Sequence, residues 1–185
     1  MSKKVVLKGK KVALRPLSLN DAPNFCQWFK DWEVIQFLSS RIGKPAPTLK
    51  EERDWIKEAK NDKTKINFSI DTKDGKHIGS VSLHDIDNIH KTAEYGIFIG
   101  DKEYWGQGYG TEAGELIIGY GFRKLGLRSI HLRYAAFNIR GEKSYKKLGF
   151  KPAGRFREVM YSNKYYHDHF LMDLLKEEWA KRNNK

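Results

Sequence analysis

The stretch Trp105-Gly106-Gln107-Gly108-Tyr109-Gly110-Thr111 lies between a predicted strand and a predicted helix. Its three glycines alternate, and glycine lets a backbone turn sharply and lets a ligand approach the N–H groups closely. The start of the following helix adds unbonded N–H donors and the positive end of the helix dipole. These features predict a site for a phosphate or pyrophosphate group. A tight turn that binds nothing is the alternative, and the regular spacing of the glycines makes it the less favoured one.

The neighbouring sequence excludes two common classes of phosphate ligand. A nucleotide P-loop needs Gly-Lys followed by Ser or Thr, and no lysine that follows a glycine in this chain has that neighbour. A dinucleotide-binding loop that starts at Gly106 requires Gly or Ala where Thr111 stands, and it expects an early strand–helix–strand unit that is not seen. The pyrophosphate of coenzyme A therefore fits best.

The predicted elements around this loop alternate between helix and strand. The segment Ala93–Gly100 before the loop is apolar on both faces, which is typical of a central strand. After the loop, a helix is predicted from about Gly108 to Lys124, with Gly126 ending it. The other predicted elements are a strand at Val12–Leu17, a helix from about Asn20, a helix from Thr48 to about Lys60, strands at Ile66–Ile70, His77–Asp85 and Ile130–Tyr134, a helix at Ile139–Leu148, two strands joined at Ser162-Asn163, and a short tail with Trp179. This order predicts one mixed α and β domain over residues 1–185.

Composition and charge add only broad limits. Of the formal net charge of +12, six positive charges and no acid fall within residues 1–17, and we interpret this basic arm as a solubilising face. No apolar run approaches the ~18 residues of a membrane span, and no secretory signal is visible. The single cysteine, Cys26, fits a reducing compartment, so we expect a cytoplasmic protein.

A second block, Asn138–Phe150, follows the loop and reads Asn-Ile-Arg-Gly-Glu-Lys-Ser-Tyr-Lys-Lys-Leu-Gly-Phe. Together the two blocks resemble the GNAT superfamily of N-acetyltransferases, and within it the ribosomal-protein N-terminal (RimJ/RimL-type) branch. The resemblance covers nearly the whole chain. Trp105 stands where many members have Gln or Arg, and Glu142 replaces an apolar residue, so we expect Glu142 to face solvent.

The resemblance implies a fold and a donor site. The fold is a single domain with a central mixed, mostly antiparallel, twisted sheet of about seven strands and helices on both faces. Acetyl-CoA lies in a V between the strand that ends at Gly100 and the strand that ends at Ala136. The implied cofactor-binding residues are Phe98, Ile99, Gly100, Trp105, Gly106, Gln107, Gly108, Tyr109, Gly110, Thr111, Asn138, Ser144, Tyr145 and Lys147. His167 and His169 are too few ligands to predict a metal, and none is expected.

The resemblance also implies catalytic roles, in which the amine attacks the thioester directly. Tyr145 donates a proton or a hydrogen bond to the leaving thiolate. Asn138 holds the coenzyme or a water, with a helix cap as an equal alternative. Glu94, on the central strand with Gly96 and Phe98, is the candidate base, and an acid satisfied by its neighbours is the competing interpretation.

The acceptor does not follow from the sequence. The branch suggests a protein N-terminal α-amine, and a polyamine, an aminoglycoside or an amino sugar is the alternative within the same chemistry. A basic RNA-binding domain without catalysis is the alternative of a different class, and the glycine loop and Tyr145 argue against it. The expected partners are acetyl-CoA and the acceptor amine. A homodimer is consistent with the sequence but does not follow from it.

Overall fold

A computed structural model describes residues 7–183, which form an eight-stranded mixed sheet with helices on both faces. In chain order the elements are β1 (Leu7–Lys8), β2 (Val12–Pro16), α1 (Ala22–Trp28), α2 (Trp32–Ile35), α3 (Leu49–Asn61), β3 (Ile66–Thr72), β4 (His77–Asp87), β5 (Thr92–Ile99), α4 (Tyr109–Arg123), β6 (Ser129–Ala135), α5 (Ile139–Leu148), β7 (Lys151–Ser162), β8 (Tyr165–Leu175) and α6 (Lys176–Asn183). The strand order is β1-β2-β3-β4-β5-β6-β8-β7. All neighbours are antiparallel except β5 and β6.

The predicted mixed, mostly antiparallel sheet is confirmed, with local differences. The eighth strand is the two-residue β1. The predicted tail is the helix α6, whose Trp179 packs 5.4 Å from the ring of Phe122. The last hairpin turns at Asn163 and Lys164, one residue later than predicted, and both residues have positive φ, as a tight hairpin turn requires. Helix α4 is capped by Lys124, so the glycine expected to end it lies beyond the cap.

Local sequence signals set the helices where they were expected. At the start of α3, the Glu51 carboxylate accepts the N–H of Thr48 (2.7 Å) and the Thr48 hydroxyl accepts the N–H of Glu51 (3.3 Å), the predicted capping box. Pro23 stands in the first turn of α1, where its missing N–H costs nothing. Gly114 and Gly121 sit on the buried side of α4 because a Cβ at either position would meet side chains at less than 3 Å.

Two apolar clusters hold the helices to opposite faces of the sheet. The larger one includes Ile117 and Ile118 of α4 packed with Ile130 of β6, all fully or almost fully buried. The smaller one includes Phe25 of α1 and Ile56 of α3. Burying an aliphatic or aromatic side chain contributes about 1.5–3 kcal/mol, so each cluster fixes its helices firmly. The central strands are therefore covered on both sides.

The parallel pair β5 and β6 separates soon after it begins. Their register is Thr92↔Ser129, Ala93↔Ile130 and Glu94↔His131, and no pairing follows within the described residues, although both strands continue. The unpaired ends of β5 and β6 leave backbone N–H and C=O groups without strand partners. This opening corresponds to the V that the family resemblance implied.

One polar cluster lies inside the apolar interior beside α1. Arg15 of β2 is 1% exposed, and its guanidinium contacts the carboxylates of Asp21 and Asp71 at 2.7 Å each. The Ser69 hydroxyl donates to Asp21 at 2.6 Å. Arg15 belongs to the basic arm that was interpreted as a solubilising face, and its burial corrects that interpretation for this residue. Lys3 and Lys4 of that arm lie outside the described residues.

Candidate active site

A cavity of about 400 Å³ occupies the V and brings the two sequence blocks together. Thr111 of α4 and Ser144 of α5 meet there, with their hydroxyl oxygens 2.9 Å apart. The predicted residues that line the cavity are Phe98, Ile99, Trp105, Gly106, Gly108, Gly110, Thr111, Asn138, Ser144, Tyr145 and Lys147. Residues 34–38 of α2 and the segment after it close one side. The predicted pocket residues thus converge from three parts of the chain: the end of β5, the glycine loop with the start of α4, and α5 with its cap.

The glycine loop has the backbone that an anion site requires. Gly106 and Gly108 have φ of 74° and 87°, left-handed values that disfavour other residues. Within residues 7–183, no backbone carbonyl accepts from the N–H groups of Gly106 to Thr111. Gly110 rests on Ile97 and Ile99, since its Cβ would lie 3.4–3.5 Å from their side chains. Free N–H groups at the start of the 15-residue helix α4 make a suitable place for a pyrophosphate.

Helix α5 adds cations to the same cavity. Arg140, Ser144 and Lys147 recur at i, i+4 and i+7, so they share one helix face, and all three line the cavity with Lys143. The guanidinium of Arg140 lies 3.7 Å from the ring centre of Trp105. A cation therefore covers the position where Trp105 replaces the Gln or Arg of many family members. Free N–H groups and positive side chains together fit a phosphorylated ligand.

The backbone of β5 is only partly free to bind a ligand. The Gly100 N–H donates to the Ile78 carbonyl of β4 (3.0 Å), and Gly100 is not among the residues that line the cavity. Strand residues alternate the direction of their backbone polar groups, so Phe98 also turns its N–H towards β4. Ile99 turns the other way: its carbonyl accepts the Trp105 indole N–H (2.8 Å). By the same alternation Ile97, which was not among the predicted site residues, directs its N–H and C=O into the V.

Tyr145 lies deep in the V. Its side chain is 9% exposed and lines the cavity, with its ring 5.4 Å from that of Tyr134. Burial, together with the neighbouring Tyr134, raises the pKa of Tyr145 to about 12. The hydroxyl therefore stays protonated at physiological pH and can donate. Glu142 accepts a hydrogen bond from Tyr134 and pairs with Lys146 (2.6 Å), so it is held by neighbours and does not simply face solvent as predicted.

Asn138 both caps a helix and lines the cavity. Its side-chain oxygen accepts the N–H of Gly141 at 2.9 Å, which makes it the N-cap of α5. The helix-cap alternative is therefore present in the structure. The cap aims the start of α5 at the V, and this orientation places the side chains of the helix in the cavity.

Glu94 lies next to the cavity, at the last paired position of β5, and is not among the residues that line it. One carboxylate oxygen is 3.0 Å from Arg133 Nε, and the other is 3.9 Å from His131 Nε2. Its side chain is 13% exposed. His84 and Asp85 approach from β4, and one ring nitrogen or carboxylate oxygen of each lies within 4.8 Å of a Glu94 oxygen. Glu94 is thus a carboxylate paired with the guanidinium of Arg133, as the competing interpretation expected.

Several residues fall differently from the sequence predictions. The side chains of Gln107 and Tyr109 lie outside the cavity: the Gln107 amide bonds the Glu103 carbonyl, and Tyr109 packs 5.0 Å from Tyr104. The cavity-lining residues that were missed are Val34, Phe37, Leu38, Ile97, Tyr104, Arg140, Gly141 and Lys143. Of these, only the residues of α5 had a sequence signal, the helical spacing from Arg140. His169, which was considered as a metal ligand, is buried, with Nε2 3.4 Å from Met160 Sδ.

The site combines a splayed parallel strand pair, a glycine loop with free N–H groups at the start of a helix, and a buried tyrosine hydroxyl. The family model described as "Acetyltransferase (GNAT) domain" matches residues 11–151. The "Putative ribosomal N-acetyltransferase YdaF" of Bacillus subtilis is 35% identical over 57% of this chain and 57% of its own. Spermidine N(1)-acetyltransferase of Escherichia coli is 28% identical over 91% of this chain and 88% of its own. A crystal structure of spermidine N-acetyltransferase from Vibrio cholerae with CoA and spermine has a TM-score of 0.84 at 23% identity, covering 93% of this chain and 99% of that one.

The chain belongs to the GNAT acetyltransferase family. It is an N-acetyltransferase that uses acetyl-CoA and transfers the acetyl group to an amine. The predictions of family, enzyme class and cosubstrate are confirmed. Within residues 7–183, no helix is both long and apolar enough to cross a membrane.

Proposed function

We propose that the acceptor is the α-amine of a peptide or protein N-terminus, which attacks acetyl-CoA directly in a ternary complex. The observation that carries this choice is the guanidinium of Arg133, 3.0 Å from Glu94 beside the V. An acceptor amine that reached Glu94 in its protonated form would be repelled by the positive charge of Arg133. An α-amine has a pKa of about 7.7–8.0, against about 10.4 for a lysine-like amine, so far more of it arrives neutral at physiological pH.

The proposed mechanism divides the work among three residues of the chain. Glu94, with one oxygen held by Arg133, takes the proton of the attacking amine directly or through water. The Ile99 backbone N–H, directed into the V, polarises the thioester carbonyl. Tyr145, protonated because burial raises its pKa to about 12, donates to the departing thiolate. Acetyl-CoA supplies the acetyl group as a thioester when it is bound.

The donor is held by a different set of residues. The loop from Gly106 to Thr111 offers its free N–H groups to the pyrophosphate. Lys143, Ser144 and Lys147 of α5 line the same cavity and supply positive charge and a hydroxyl. Asn138 fixes the start of that helix through its cap. Trp105, bonded to Ile99 and covered by Arg140, closes the loop end of the V.

A polyamine is the second candidate for the acceptor. It is supported by the 28% identity to spermidine N(1)-acetyltransferase of Escherichia coli, which extends over 91% of this chain. The net charge of +12 opposes it, because a basic surface repels a polycation at long range.

Measurement of thiol release tests the two acceptors directly. Peptides with free N-termini are expected to be acetylated with kcat/KM at least about tenfold above spermidine at pH 7, because more of their amine is neutral. Their rates should rise up to about pH 8 and then level off, as the α-amine titrates. The same peptides with blocked N-termini are the control. A preference for spermidine, with rates that keep rising towards pH 10, would contradict the proposal and favour the polyamine.

Replacement of Glu94 by glutamine tests the base. We expect a loss of kcat/KM of about tenfold or more at pH 6.5, shrinking at pH 8.5 where the α-amine is already largely neutral. The exposed Glu115→Gln on α4 is the matched control, since it removes the same charge away from the V. A correctly folded Glu94→Gln enzyme with a normal rate at both pH values would remove Glu94 from the role.

A further inference from the structure

The tip of the β1–β2 hairpin is fastened to the first turn of α4. The carboxylate of Glu112 accepts the backbone N–H groups of Lys10 and Lys11, the latter at 2.8 Å. Gly9 lets the tip approach this carboxylate closely, since a Cβ there would stand 2.5 Å from a Glu112 oxygen. Two hydrogen bonds to a charged acceptor hold a short hairpin firmly. The hairpin therefore keeps a fixed position beside the glycine loop.

This hairpin places one ammonium group on the glycine loop. Lys11 Nζ donates to the backbone carbonyl of Gln107 at 2.8 Å. It also lies 5.6 Å from the ring centre of Tyr109 and 4.0 Å from where a Cβ on Gly108 would stand. Lys11 is distant from the loop in sequence and belongs to the arm whose charge was interpreted as solubilising. Its position gives that charge a specific partner.

The bond to Gln107 has a consequence for the adjoining N–H. The Gln107–Gly108 peptide is trans, so its C=O and N–H point in opposite directions. An ammonium that holds the carbonyl on one side therefore directs the Gly108 N–H to the other side, and Gly108 lines the cavity. The positive charge also polarises this peptide, which strengthens its N–H as a donor. The loop glycines have no side chain to impose this orientation themselves.

We propose that Lys11 is a positioning residue for the coenzyme A pyrophosphate: it fixes the Gln107–Gly108 peptide with its N–H towards the anion, and Glu112 fixes Lys11. The inference rests on the proposed binding of the pyrophosphate by this loop. The ammonium lies within the Debye length of about 8 Å from Gly108, so it also attracts the anion through space. Acetyl-CoA is thus bound through the N-terminal hairpin as well as through the loop.

Lys11→Met and Lys10→Met form a matched pair that tests the proposal. Both remove one charge from the same exposed hairpin, but within residues 7–183 the Lys10 ammonium makes no hydrogen bond or ion pair. We expect Lys11→Met to raise the Kd for CoA by about tenfold, the change that follows loss of a charge-assisted hydrogen bond, whereas Lys10→Met changes it less than about twofold. Lys11→Arg, which can still donate to the carbonyl, should restore most of the affinity. Isothermal titration calorimetry provides the values.

Kinetics separate positioning of the anion from a general loss of structure. With acetyl-CoA, Lys11→Met should raise KM and leave kcat nearly unchanged. With acetyl-pantetheine, which lacks the pyrophosphate, Lys11→Met and the unmodified enzyme should have equal kcat/KM. A defect that persists with acetyl-pantetheine, or equal Kd values for the Lys11→Met and Lys10→Met variants, would overturn the proposal.

Dephospho-CoA identifies the anion that is involved. It keeps the pyrophosphate and lacks the 3′-phosphate, so the Lys11→Met defect should remain with this ligand. A defect that disappears would assign Lys11 to the 3′-phosphate and overturn the pyrophosphate assignment. If the unmodified protein failed to bind CoA, the loop would not be the coenzyme site. This outcome is distinct from equal Kd values for the two variants, which would count against Lys11 alone.

Discussion

Tyr145→Phe is expected to lower kcat by about 10²- to 10³-fold, with little change in the KM for acetyl-CoA. The substitution removes one hydroxyl from a side chain that is 9% exposed in the V and leaves the ring in place. Since burial raises the pKa of Tyr145 to about 12, the hydroxyl remains protonated through the working range of the enzyme. The kcat profile of the unmodified enzyme should therefore show no decline from tyrosine ionisation below about pH 10. Steady-state thiol release over pH 6–10 measures both effects.

A neighbouring tyrosine provides the control for this experiment. Tyr95 is 4% exposed, its ring centre is 6.2 Å from that of Tyr145, and its hydroxyl makes no hydrogen bond in the described structure. Tyr95→Phe should keep full activity and should not lose stability, because it removes a buried unpaired hydroxyl whose burial costs about 1–3 kcal/mol. Equal activities for the two phenylalanine variants would show that Tyr145 packs the core and does not donate a proton.

The donor end of the site is predictable from sequence because its signals are local. Three alternating glycines before a helix need only their own backbone to form an anion site. In the block from Asn138 to Phe150, Asn138 caps the start of α5 and Gly149 caps its end, so the helix has the predicted bounds. The contact between Thr111 and Ser144 then follows from the fold that the two blocks share.

The remainder of the site depends on contacts between distant segments, which no local pattern reveals. The pairing of Glu94 with Arg133 follows from the register of β5 on β6, where Glu94 stands opposite His131. The direction of the β5 backbone follows from its pairing with β4. This pairing turns the Gly100 N–H towards Ile78 and away from the V. Lysine and arginine near the N-terminus look alike in a count of charges. Their roles differ because Lys11 lies at a hairpin tip and Arg15 lies inside a strand with buried neighbours.

Arg15→Met is expected to destabilise the fold by about 3–5 kcal/mol at pH 7, a large part of the stability of a typical domain. The guanidinium donates to both oxygens of Asp21 (2.7 and 2.8 Å) and both oxygens of Asp71 (2.7 and 2.9 Å). Its removal leaves the buried carboxylates of Asp21 and Asp71 without the guanidinium that lies between them. Urea unfolding followed by circular dichroism measures the loss. The exposed pair Lys57–Asp54, at 2.9 Å, provides the control: Lys57→Met should cost no more than about 1 kcal/mol.

The pH dependence of the Arg15→Met effect tests its electrostatic origin. Burial raises the pKa of Asp21, but hydrogen bonds from Arg15, Ser69 and the Ser18 N–H and the charge of His77 outweigh it, so the pKa falls from 3.8 to about 2. A lowered folded-state pKa gives stability that is complete above about pH 4 and is lost as the pH falls towards 2. The difference between the unmodified protein and Arg15→Met should therefore be largest at pH 7 and should narrow as the pH falls towards 2, because the buried carboxylates of the variant take up protons at a higher pH than those of the unmodified protein. A difference below about 1 kcal/mol at pH 7, or one that is unchanged at pH 3, would mean that Arg15 stabilises the fold by packing and not through its charge.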